Sequence, residues 1–232
     1  MSSNVDSAFA PDANQINLRD NVYDCAMRGL KRARFHPEAK INIVFRDADG
    51  KGAADEGGPS REFLRLLMSA IHSSAIFEGP DWHKCLSCNS QALYDVLYKQ
   101  MGRMIAVCLV HGGVEPQNNS ERLYRQVCGL QSPVPELKEI AEYDFREKLE
   151  KIQLAQTVDE AQSAVMEASE QLVMLGSVRY IRTLESDDLE ESATKFYLES
   201  RLRDALEQFK EGLECLGLLP YKNRHSSLFR ED

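Results

Sequence analysis

Long apolar runs are missing from this sequence. A helix that crosses a bilayer needs ~20 consecutive apolar residues, and the longest stretch here, Met104 to Val110, is short enough to be part of a buried helix. The amino-terminal MSSNVDSAFAPDANQ has neither the cationic leader nor the apolar segment of a secretory signal. The expectation is an intracellular chain, cytoplasmic or nuclear, without a membrane partner. Positive charge is also scarce. The formal net charge is −9, whereas a dedicated nucleic-acid binder needs a basic face for phosphates. The single cationic cluster, RGLKRAR from Arg28 to Arg34, reads as a solvated helix end, where cations complement the helix dipole. Disulfide patterning is absent too. Six cysteines (Cys25, Cys85, Cys88, Cys108, Cys128 and Cys215) are widely scattered and read as free thiols in a reducing compartment. There is no internal repeat and no low-complexity block.

What is present is ordinary globular material. The chain has 232 residues, 43% hydrophobic and 28% charged. That length makes one large domain or two small ones, with a core that needs no disulfide or metal. Residues 1–17 read as a disordered tail. From Leu18 an apolar face recurs at Val22, Cys25, Ala26 and Leu30, which predicts a helix capped by Asn17 and ended by His36-Pro37. Ile41 to Phe45 is a short strand. The glycine-rich loop after it gives way at Gly57-Gly58-Pro59 to a helix with Phe63, Leu66, Leu67, Ala70 and Ile71 inward. The paired glycines allow a backbone with φ > 0, and Pro59 suits the first helical turn. A helix over 91–111 is apolar around most of its circumference and therefore central. Within it Gly102 permits close approach of another element, and Gly112-Gly113 stops it. Further helices are predicted over 120–128, 136–153, 157–175 and 189–216. The third of these opens with a Thr157 to Glu160 capping box. The fold class is α+β, predominantly helical, with a few short strands.

No complete catalytic constellation appears. Asp47 to Gly58 places acids at positions 1 and 3 and a glycine at position 6 of a calcium loop. It has Lys51 where a ligand is required and Gly58 where a bidentate glutamate is required. Gly50-Lys51 lacks the glycine spacing and following hydroxyl of a phosphate loop. Cys85-Leu-Ser-Cys88 with His83 offers three metal ligands at most, with no second pair. Cys108 and His111 read as a small buried residue and a helix end. No metal or cofactor is expected. Glu62 and Arg103 are the unusual pair, because each sits on a helix that otherwise packs inward, and a charge near a core needs a partner. Arg103 is expected to pair with Glu62 or Asp55.

These residues carry a resemblance. The run Ile43-Val-Phe45, then Asp55-Glu-Gly57-Gly58-Pro-Ser-Arg61-Glu62-Phe63, resembles the opening of the HECT domain of ubiquitin ligases. Met101-Gly102-Arg103 with His111-Gly112 resembles its Gly-Arg helix. The segments Glu136 to Leu149 and Arg201 to Leu213 resemble later stretches, in the family's order. Gln117-Asn118-Asn119 and the region from Ile152 to Leu189 depart from the better-known members, which marks a divergent one. The resemblance implies a HECT N-terminal lobe: a scaffold over 18–220, with 221–232 the truncated start of the remaining region. The structural motif residues would be Asp55, Gly57, Gly58, Arg61, Glu62, Gly102 and Arg103. A complete HECT ligase takes ubiquitin from a conjugating enzyme onto a cysteine of its C-terminal lobe and passes it to a substrate lysine. None of the six cysteines here matches that nucleophile, so the chain alone is expected to be non-catalytic. The substrate is not named by the sequence. The alternatives are a non-enzymatic interaction module derived from such a lobe and a calcium-binding helical protein.

Overall fold

The computed structural model describes residues 13–18, 21–32, 35–46, 52–53, 58–113, 119–174 and 187–217. It is predominantly helical with a few short strands, an α+β fold. The chain forms two compact units, one from residues 1–75, 91–117 and 208–232, the other from 76–90 and 118–207. Among the described residues no helix is long and apolar enough to cross a membrane.

The first unit begins with a parallel pair. Strand β1 (Ala13–Leu18) is followed by helix α1 (Val22–Leu30) and by strand β2 (Lys40–Arg46), and β1 lies beside β2 with Ile16 opposite Ile43. Parallel neighbours need a crossover between them, and α1 supplies it. Strand β3 (Gly52–Ala53) joins the other edge of β2 antiparallel. Ile16, Ile41 and Ile43 are buried, and Ile16 packs against Gly29 of α1. This corrects the expected start of α1. Leu18 ends a strand, and the cap is Asn21, whose side-chain oxygen accepts the Tyr23 N–H at 2.8 Å. The helix also stops at Leu30, well before His36-Pro37. Asparagine and glutamine in ANQINL mask the strand, because its ladder bonds come from a partner about thirty residues later, not from local propensity.

Helix α2 (Gly58–His72) buries Phe63, Leu64, Leu67, Met68 and Ile71. Gly58 opens it without a positive φ. The helix expected over 91–111 is two: α3 (Ser90–Tyr94) and α4 (Leu97–Val110), parted at Val96, which sits in the left-handed region at φ 57°. Helix α4 is central to its unit, with Tyr98, Met101, Gly102 and every residue from Met104 to Cys108 buried. Gly112, at φ +80°, ends it in the left-handed conformation that glycine adopts freely.

In the second unit, strands β4 (Phe77–Glu78) and β5 (Cys85–Leu86) form a small hairpin. Helix α5 (Glu121–Val127) is capped by Ser120, and a short 3₁₀ turn spans Leu137–Glu139. Helices α6 (Tyr143–Leu154), α7 (Val158–Glu167), α8 (Ser169–Met174) and α9 (Asp187–Leu198) then build the core. Phe145, Leu149 and Ile152 of α6 meet Ala161 and Ala164 of α7 and Leu189, Ala193 and Tyr197 of α9. The single helix expected over 157–175 is broken at Ala168. The Thr157 cap forms, its hydroxyl accepting Glu160 N–H at 3.2 Å, but the Glu160 carboxylate takes the N–H of Gln156 rather than that of Thr157. A 3₁₀ turn at Ser200–Leu202 likewise interrupts the last long helix before α10 (Arg203–Leu213).

Candidate functional site

Of the motif residues of the first unit, Gly102 and Arg103 make packing contacts. Asp55 and Gly57 lie outside the described residues. Arg61 and Glu62 are exposed on α2, and Glu62 is held by Arg65 one turn on, at 2.7 and 2.9 Å. The expected Glu62–Arg103 pair is therefore not made: spacing of i and i+3 on one helix gives Glu62 a nearer cation. The Arg103 guanidinium instead sits over the Phe35 ring, 5.2 Å from its centroid, and its Nε has no acceptor among the described residues. Gly102 lies directly against Gly212 of α10. A Cβ on Gly102 would collide with the Phe209 carbonyl oxygen and approach Gly212 Cα to 3.1 Å; one on Gly212 would strike the Lys99 carbonyl. The His111 ring Nε2 is 3.0 Å from the Pro37 carbonyl, which places the imidazole proton on Nε2.

The best-defined polar construction is in the second unit, and the sequence reading missed it. Arg122 of α5 is almost wholly buried, its side chain 2% exposed. Its Nε and Nη2 grip both oxygens of Glu139 at 2.8 and 2.7 Å. Its Nη1 reaches Glu199 at 2.8 Å and the Pro133 carbonyl at 3.0 Å, and Nη2 also reaches the Val134 carbonyl at 3.2 Å. Five contacts match the five N–H groups of a guanidinium. A buried ion costs several kcal/mol in lost hydration unless such a set surrounds it. Burial alone would raise the Glu139 carboxyl, but the Arg122 hydrogen bonds, the Glu136 N–H and the Arg122 charge outweigh it and hold the group below its ordinary value.

A second arginine stands close by. Arg201 stacks 3.4 Å from the Tyr197 ring centroid, donates from Nε to the Tyr197 carbonyl at 2.6 Å and from Nη2 to Glu78 at 2.7 Å. Burial pushes the Glu78 carboxyl up, against the pull of Arg201. These groups, with Leu86, Leu123, Ile140 and Leu198, line a cleft of about 420 Å³. Trp82, 77% exposed, and His83 stand in its wall with ring centroids 5.8 Å apart.

The cleft contains no activated nucleophile. Cys85 donates its S–H to the Ser120 hydroxyl at 3.1 Å, and burial raises its pKa. Cys88 of the same CxxC is exposed. Among the described residues, no three His, Cys, Asp or Glu side chains converge as a metal site would require. The arrangement is suited to recognition, with a rigid arginine-braced wall and an apolar floor. Sequence pattern alone offers no clue to it: Arg122 follows the Ser120 cap within a seven-residue helix, too short for periodicity to mark its inward side.

No protein-family model matches this chain. The curated proteins it resembles are E3 ubiquitin-protein ligases, and the chain is related to them. It is 33% identical over 202 residues to the human protein named G2/M phase-specific E3 ubiquitin-protein ligase, covering 86% of this chain and 28% of that protein. The Macaca fascicularis protein of the same name matches to the same extent, and that of Gallus gallus is 32% identical over 219 residues, 93% of this chain and 29% of its own length. The chain thus spans less than a third of the length of these relatives.

Proposed function

We propose that this chain is the scaffold portion of the N-terminal lobe of a HECT-type ubiquitin ligase. The observation that carries the reading is the 33% identity to E3 ubiquitin-protein ligases, sustained over 202 residues. The HECT type rests on the strand-to-helix run from Ile43 to Phe63 and on the Gly102-Arg103 and His111-Gly112 pairs that follow in order. In the whole protein, a ubiquitin-conjugating enzyme and ubiquitin would be the partners, and transfer to a substrate lysine would pass through a cysteine of the C-terminal lobe. This chain would position those parts and form no thioester itself. Three of its six thiols fit that division. Cys25, Cys108 and Cys128 are buried, and burial pushes Cys108 up to about 12. A thiol in that state is not the thiolate that attacks.

The test is direct. The chain is mixed with ubiquitin-charged conjugating enzyme and resolved without reductant. No reducible ubiquitin adduct is expected, and one on any of its cysteines would overturn the non-catalytic role. The cleft favours one second reading, an interaction module derived from a HECT lobe. Reading the transcript past Asp232 separates the two: a C-terminal-lobe cysteine supports the ligase, and a stop codon supports the module.

A further inference from the structure

Hydrogen-bonding capacity in the cleft of the second unit is lopsided. Glu139 has both carboxylate oxygens occupied by Arg122, and one of them also accepts the Glu136 N–H. Glu78 is held by Arg201. Arg122 with its two carboxylates and two carbonyls is a closed set. The other two arginines in the wall are not closed. Arg201 uses Nε and Nη2 and has no acceptor at Nη1 among the described residues. Arg146 donates from Nη1 to the Ile140 carbonyl at 3.3 Å, and its Nε is 3.8 Å from Glu150, an ion pair beyond hydrogen-bond reach. Its Nη2 has no acceptor among the described residues. Between these donors the floor is apolar, built on Leu86, Leu123 and Leu198. A volume of about 420 Å³ holds one large side chain and its neighbouring backbone. At the mouth stands Trp82, a large aromatic left exposed where an anchor residue of an interface would be.

We propose that this cleft binds a short acidic peptide, with a bulky apolar side chain of the peptide in the cleft and a flanking carboxylate on the open guanidinium donors of Arg146 and Arg201. Arginine presents paired donors in a plane, and a carboxylate accepts two of them at once. The wall needs no rearrangement, because Arg122 already braces α5, residues 133–139 and Glu199. The site lies within one unit, and it stands whether or not the chain is part of a HECT lobe.

Trp82 is the only tryptophan in the chain, so its fluorescence reports on this cleft alone. The full chain is titrated with three capped hexapeptides: alternating glutamate and leucine, alternating lysine and leucine, and glutamate throughout. A saturable change in emission is expected with the glutamate–leucine peptide, weakening as salt screens the exposed charges. The lysine–leucine peptide binds at least about tenfold more weakly, one ion-paired contact being worth roughly that factor, and the all-glutamate peptide weakens by a similar factor because it has no apolar side chain to bury. Arg146→Gln loses about tenfold for the glutamate–leucine peptide while its thermal midpoint stays close to that of the parent, since Arg146 makes only a carbonyl bond, a long ion pair and a contact over the exposed Tyr143 ring. Calorimetry on the unaltered chain gives a second reading of the same affinities without relying on the fluorophore. No saturable response to the glutamate–leucine peptide by either method overturns the proposal. So does equal binding of the lysine–leucine peptide, or an Arg146→Gln chain that binds as tightly as the parent.

Discussion

Arg122 shows how a single side chain fixes a region. Its guanidinium ties together residues 17 and 77 positions away. Replacing it with methionine leaves the Glu139 and Glu199 carboxylates in place with no cation between them. Breaking one side of a buried pair costs about 3–5 kcal/mol. Glu199 is partly exposed, so about 3 kcal/mol is expected from urea unfolding of Arg122→Met. Replacing all three residues by apolar ones of similar size should cost clearly less, because no uncompensated charge remains. The two acids of the cleft also respond oppositely to pH. Glu139 is held low in the folded state. Its contribution is present above the unfolded carboxyl value and is lost as pH falls through the lower folded value. Glu78 is raised, so between its unfolded and folded values the folded chain binds more protons, and stability falls as pH rises there. In Glu139→Gln the acid-side loss should shrink; in Glu78→Gln the decline on the rising side should shrink. Unfolding curves taken from pH 3 to pH 7 read both. None of this was legible in the sequence. An arginine beside a leucine in a seven-residue helix reads as surface charge, and its partners are set by tertiary folding alone.

At the scale of elements, the glycines of α4 and α10 make the sharper case. Gly102 and Gly212 bring two helix backbones together where any Cβ meets a carbonyl oxygen or a backbone nitrogen. Gly102→Ala gains a little helix propensity but must push the helices apart, and overpacking of this kind costs about 1–3 kcal/mol. Gly212→Ala should cost a similar amount. The double variant should cost less than the sum, since one displacement makes room for both methyl groups. Chemical denaturation of the three variants tests this, and full additivity would show the two glycines to act separately. The sequence marked Gly102 as a point of close approach, because a glycine inside an apolar helix has few other uses. Gly212 lies inside the helix predicted over 189–216, and nothing local pairs it with Gly102. The same limit explains the other differences. Apolar periodicity located α2, α4 and α6. Strand β1, the left-handed Val96 and the break at Ala168 depend on neighbours, and no period of 3.6 or 2 contains them.

The distribution of thiols belongs to the whole molecule, because it tests which cysteines folding removes from solvent. Six cysteines in an ordinary soluble composition were expected to be free, and their differences come from burial. Cys25, Cys108 and Cys128 are buried, Cys85 is half-buried with its S–H on Ser120, and Cys88 and Cys215 are exposed. A brief pulse of iodoacetamide at pH 7.5, followed by mass spectrometry, should label Cys88 first. Cys215 should follow more slowly, since partial burial raises its pKa against the pull of Arg103 and alkylation proceeds through the thiolate. Cys85 should lag behind both. Cys25, Cys108 and Cys128 should react only after urea has unfolded the chain, and in Arg122→Met the urea concentration needed should fall. This order bears on function as well as fold. A cysteine that accepts ubiquitin must be both open and ionisable, and folding leaves the buried three neither. Rapid labelling of Cys108 in the folded chain would break that argument, because a central-helix thiol held near 12 has almost no thiolate at pH 7.5 to react.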